Sequence, residues 1–201
     1  MIFTQTKRAA AAKSSARKLH SIHALLRERA FVGVIEAGAL KYDFTYTPTA
    51  AAVKDHKLVL TGSVIVKTPA GKTATANNVT ATLAAAQGSI STSASKPRAF
   101  QLVTPSPFAA DPQGQPLTDL TDARSALGVL YFHLSALDGR ALGVPFNLGK
   151  VQLNGRLALI DQTARDLQWL FTQAHAALMG EKPDEQMAEP YVTELNRVLS
   201  A

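Results

Sequence analysis

The sequence predicts an α+β protein: a central antiparallel β-sheet or sandwich, with a basic N-terminal helix before it and two C-terminal helices after it. Three observations carry that expectation. From about residue 38 to residue 160 the apolar residues recur mainly with a period of two. The segments on either side repeat them at three and four. Between the strands there are no helical stretches of the kind a parallel α/β sheet would need.

The N-terminal element comes first. Alanines and long basic residues from Thr4 to Arg29 favour helix, and Leu19, Ile22, Leu25 and Leu26 form a narrow apolar stripe at its end. The net charge of +6 lies in this arm. Lys7, Arg8, Lys13, Arg17, Lys18, Arg27 and Arg29 stand against Glu28 alone, and residues 31–201 carry equal numbers of basic and acidic side chains. The expected organisation is therefore a basic helical arm over residues 1–30 and a neutral globular domain over residues 31–201. A neutral body argues against a broad nucleic-acid-binding face. The arm is suited to nucleic acid or to an anionic membrane. Its Ala-, Ser- and Arg-rich, acid-poor composition also resembles a mitochondrial transit peptide, should the source be eukaryotic; otherwise a cytoplasmic location is expected. No apolar run reaches the length of a signal-peptide core or a membrane span, so no transmembrane segment is expected.

The strands follow in order. In "LKYDFTYTP" Leu40, Tyr42, Phe44 and Tyr46 share one face and Lys41, Asp43, Thr45 and Thr47 the other, with Pro48 closing the strand. "HKLVLTGSVIVK" (56–67) and "TATANNVTATLAAA" (73–86) are the next two. Between them "TPAGKT" ends like a phosphate-binding P-loop, but Val66 stands where that motif needs its first glycine, and a strand rather than a helix follows. Pro69 and Gly71 instead fit a type I turn beginning at Thr68, which makes the segment a hairpin. Residues 58–83, with an L-x-G-x-V strand, a Gly turn and a Thr/Ala/Asn strand, resemble the OstA-type β-jellyroll repeat of lipopolysaccharide-transport proteins. That resemblance implies an exported protein, and the C-terminal helices depart from its pattern.

A further strand is expected around Phe100 to Val103, before a Pro-rich loop at 104–125. "ALGVLYFHL" (126–134), apolar on both faces, reads as a central strand. Asp138 and Gly139 signal a turn, and "VQLNGRLALI" (151–160) alternates again. The period then returns to helix. Asp161 or Thr163 caps a segment with Ala164, Leu167, Leu170, Phe171, Ala174 and Leu178 on one face, stopped by Gly180. The last helix is expected to start near Pro190, since proline fits a first turn.

Few residues point to chemistry. The chain has no cysteine, which excludes thiol catalysis and cysteine-ligated metals. There is no G-x-S-x-G, H-E-x-x-H or G-x-G-x-x-G motif, and no cofactor is expected. His20 and His23 would share a helical face, but neighbouring cations disfavour a metal there. The candidate catalytic residues are His133, as general base, with Asp138 and Tyr131 beside it; the competing reading is a strand-end histidine and a turn aspartate. Three functions follow. The first is a non-enzymatic binding or assembly module that meets a protein partner or itself. The second is anionic-surface binding through residues 7–29. The third is an enzyme of unrecognised type centred on His133.

Overall fold

In the computed structural model the described residues are 20–88, 128–158, 161–179 and 182–201. Along the chain they form β1 (His20–Arg27), β2 (Ala30–Ala37), β3 (Leu40–Lys54), β4 (Lys57–Lys67), β5 (Thr73–Gly88), β6 (Gly128–Leu134), β7 (Val151–Leu157), α1 (Gln162–Leu178) and α2 (Glu185–Ser200). Each strand pairs with the next in antiparallel fashion, and β1 pairs with β7 in parallel, which closes a seven-stranded barrel. The open sheet or sandwich expected from the sequence is thereby corrected. The two C-terminal helices are present as expected.

The physical reason lies in β1, which falls inside the expected basic helix. Residues 20–27 alternate Ile22, Ala24 and Leu26 inward with Ser21, His23 and Arg27 outward. Leu25 completes an apparent helical stripe, but here it is an outward-facing apolar residue. Helix propensity in this segment is overridden by backbone pairing on both sides, to β2 and to β7. The N-terminal helix is therefore absent from residues 20–29, and residues 1–19 lie outside the described residues. The expected strand at 100–103 and the Pro-rich loop at 104–125 lie outside them too.

β3 runs through Pro48 rather than ending there. Its pairing to β2 stops at Tyr46, and its register against β4 shifts between Pro48 and Ala50. Proline is tolerated at such a bulge, where one side of the strand has no ladder to join. Beyond Tyr46 that side of β3 is covered by α2. Asn196 accepts from Ala51 N at 2.7 Å and donates to Ala51 O at 2.9 Å.

The β4–β5 hairpin is made as the sequence predicts, with Gly71 N donating to Thr68 O at 2.8 Å. Inside the barrel Tyr46, Phe31, Phe132 and Phe171 form a chain of ring contacts, Phe31–Phe132 at 5.3 Å and Phe132–Phe171 at 5.8 Å. The interior is a packed core, as in other small barrels whose lumen is filled by side chains. Phe171 comes from α1, which lies across the end where β1 and β7 finish and touches β4 and β5 on the far side. Asp161 caps α1 by accepting from Ala164 N at 2.9 Å, and it also accepts from Glu28 N in the β1–β2 turn.

α2 starts at Glu185, capped by Asp184, which accepts from Met187 N at 2.9 Å. Pro190 therefore sits in the second turn, not the first. The cost is one missing N–H toward the carbonyl of Gln186, and the Asp184 cap fixes the start one turn earlier.

Candidate functional site

Because the barrel is filled, its candidate binding surfaces lie outside. A few outward positions of β1, β2 and β4 carry aliphatic side chains where polar ones are usual, while the outward phase of β3 is polar. Leu25 pairs with Val32, Val32 with Thr45 and Thr45 with Ile65, and Val34 stands two residues along from Val32. Val32, Val34 and Ile65 are 41%, 40% and 38% exposed. They line a shallow groove of about 570 Å³ with Arg27, Asp43, Lys67 and Thr73 at its edges. Aliphatic residues gathered on one outer sheet face, here interrupted by Thr45, mark a candidate binding surface more than single scattered ones do.

The sequence-predicted catalytic residues lie elsewhere. His133 is on the outward face of β6, exposed, between Thr82 and Gln152. Its imidazole makes no hydrogen bond or ion pair among the described residues. Tyr131 is half-buried on the same face, opposite Asn154, which is 7% exposed and accepts from Gln152 at 2.8 Å. Asp138 belongs to the loop between β6 and β7, where its carboxylate accepts from Arg140 N at 2.9 Å and Ala141 N at 3.3 Å. That arrangement builds a turn. His133 and Tyr131 share a face, while the Asp138 carboxylate is taken up by its own loop.

The remaining histidines are dispersed. His20 stacks on Phe146 at 5.0 Å, and His23 faces outward from the other side of the strand. In a strand, residues three apart point to opposite faces, so the shared helical face expected for this pair does not exist. His56 in the β3–β4 turn pairs with Glu185 of α2 at 2.9 Å. His175, half-buried on α1, has its pKa lowered by burial. Among the described residues no group of three potential ligands is placed to hold a metal ion, and no helix is long and apolar enough to cross a membrane. Of the proposed anion-binding arm, Arg27 and Arg29 lie in and just after β1. Lys7, Arg8, Lys13, Arg17 and Lys18 lie outside the described residues.

The core contains two further polar features. Tyr46 donates to Val79 O at a long 3.4 Å, and burial raises its pKa far above the usual phenol value. Gln168 on α1 is 1% exposed, and among the described residues neither its amide nitrogen nor its amide oxygen has a partner; the same holds for Nε of Arg165, one turn earlier.

The groove was missed in the sequence because "AFVGVIEA" is apolar in both phases. Phe31 and Ile35 point inward, Val32 and Val34 outward. Apolar residues in both phases of a strand with one solvated side were the available signal. No family model, curated protein or solved structure matches this chain.

Proposed function

We propose that this protein is a non-enzymatic binding module whose working surface is the outer groove of β1–β4. The observation that carries the reading is the cluster of exposed Val32, Val34 and Ile65 with half-buried Leu25 and intervening Thr45 on the barrel wall, edged by Arg27, Lys67 and Asp43. A partner protein that presents an aliphatic ridge with an acidic residue at its end fits both the cluster and the two cations. The cationic segment at residues 7–19 is a poor occupant of the same groove, because it would bring like charges to Arg27 and Lys67.

The test compares wild type with a Val32→Glu/Ile65→Glu variant. Both positions are exposed, so the fold is expected to survive, and circular dichroism checks that it does. Wild-type protein is used to capture partners from its own cells, and each complex is rebuilt from purified components. A partner that binds wild type and loses at least about tenfold in affinity with the variant, roughly 1.4 kcal/mol, supports the groove. The reading is wrong if every reconstituted complex tolerates both substitutions.

A further inference from the structure

The two ends of the barrel are sealed by different means. At one end α1 lies across the opening, held by Ala158 N to Leu26 O at 3.3 Å and by the Asp161 contact to Glu28. At the other end the cover is the loop between β6 and β7. Its neck is the bridge between Leu137 and Leu148, with Leu137 N donating to Leu148 O at 3.1 Å.

Past the neck, the hydrogen bonds of residues 138–147 close within the loop. Leu142 N donates to Asp138 O, Gly143 N to Arg140 O and Val144 N to Gly139 O, and the Asp138 carboxylate takes two more N–H groups. None of them reaches the barrel. Among the described residues, what holds residues 138–147 to the barrel beyond this neck is side-chain contact. Leu142 and Val144 are 1% and 2% exposed and join the core, Phe146 stacks on His20, and Gly143 lies beside Thr68. A compact loop of this kind can turn about its neck without breaking any of its own hydrogen bonds.

The strand ends around this mouth supply Ile22, Ile35, Tyr42, Val66, Leu134 and Val151, all buried. Withdrawing Leu142 and Val144 would vacate an apolar space comparable with the roughly 150 Å³ that holds benzene in a dry protein cavity. The rim is cationic: Lys41, Lys72, Arg140 and Lys150 are exposed at the strand ends and turns around it. Of the acids nearby, Glu36 pairs with Lys41 at 3.5 Å, Asp138 is occupied by its loop, and Asp43 stands cross-strand from Lys67, back along the wall from the rim.

We propose that residues 138–147 are a lid, and that the mouth beneath takes a small amphiphile. Its apolar tail replaces Leu142 and Val144, and its anionic head sits among the rim cations. This site is separate from the outer groove and does not depend on it.

The probe is octanoate, with 1-octanol as its uncharged counterpart, titrated into the full chain by calorimetry. Leu142→Ala/Val144→Ala makes the lid easier to displace and should tighten octanoate binding by about tenfold. Lys72→Glu/Arg140→Glu should weaken octanoate by about tenfold and leave octanol unchanged. No octanoate binding at millimolar concentration overturns the proposal, as does unchanged affinity in the alanine pair. Val32→Glu/Ile65→Glu should leave octanoate binding intact, so a failure of the groove reading is distinguishable from a failure of this one.

Discussion

Phe31 of β2 occupies the space that a side chain at Gly155 of β7 would need, because a Cβ there would overlap the Phe31 ring. The two strands are not neighbours: β1 stands between them. The aromatic ring spans it and covers the bare backbone of β7 from inside the barrel. Gly155→Ala should therefore destabilise the protein by about 1–3 kcal/mol through overpacking, read from urea unfolding. Phe31→Leu in the same chain should recover part of that loss. If the two substitutions are additive, the ring and the glycine are not coupled.

Asn196 answers both backbone groups of Ala51 on the side of β3 that β2 does not reach. Asn196→Leu keeps bulk but leaves that N–H and C=O without partners, at a cost of about 1–3 kcal/mol. The same change opens a strand edge, so thermal aggregation should begin at lower temperature than in wild type. Unchanged melting and aggregation temperatures would show that solvent replaces the side chain without loss.

Gln168 is the opposite case, a buried amide with no hydrogen-bond partner among the described residues. Gln168→Met conserves volume and removes the desolvated polar atoms, so it should raise stability by about 1–3 kcal/mol. A drop in stability would mean that an internal water or another group satisfies this amide in solution.

His175 titrates below its ordinary value because burial disfavours the imidazolium. The unfolded chain thus binds the proton more readily than the folded one. The neutral side chain's contribution is present above the unfolded value near 6.5, and it fades as pH falls through that value and below. Wild type should lose stability between pH 7 and pH 5 more steeply than His175→Gln, measured by denaturant midpoints. Parallel curves would remove His175 from the account.

Tyr46 combines a large buried ring with a weak hydrogen bond of 3.4 Å. Tyr46→Phe should cost under about 1 kcal/mol, whereas Tyr46→Ala should cost about 3–5 kcal/mol. A large effect of the phenylalanine substitution would show that the hydroxyl matters more than its geometry suggests.

Much of this architecture was legible wherever a local signal decides the structure. Alternation placed the β4–β5 hairpin and the start of β7, Pro69 and Gly71 placed the turn, and Asp161 placed the start of α1. Two kinds of information were not local. The closure of the barrel depends on β1, whose composition favours helix and whose strand form exists only through partners at both edges. The groove depends on residues from five strands becoming neighbours, and on which phase of a largely apolar strand faces inward. Asp138 was readable in its humbler role, as a turn residue. The start of α2 was misplaced because Pro190 is a stronger sequence signal than the Asp184 cap that sets it.

The parallel seam between β1 and β7 bears on how the protein is made. During synthesis β1 emerges early and waits for a partner that the ribosome delivers only after six strands and the long β5–β6 connection. Until then the nascent sheet has two raw edges, one of them next to the outward-facing Leu25 and the exposed Val32. Such a chain is a client for chaperones and a hazard at high expression rates. Its refolding should be slow for its size, since the contact that completes it joins residues far apart in the chain.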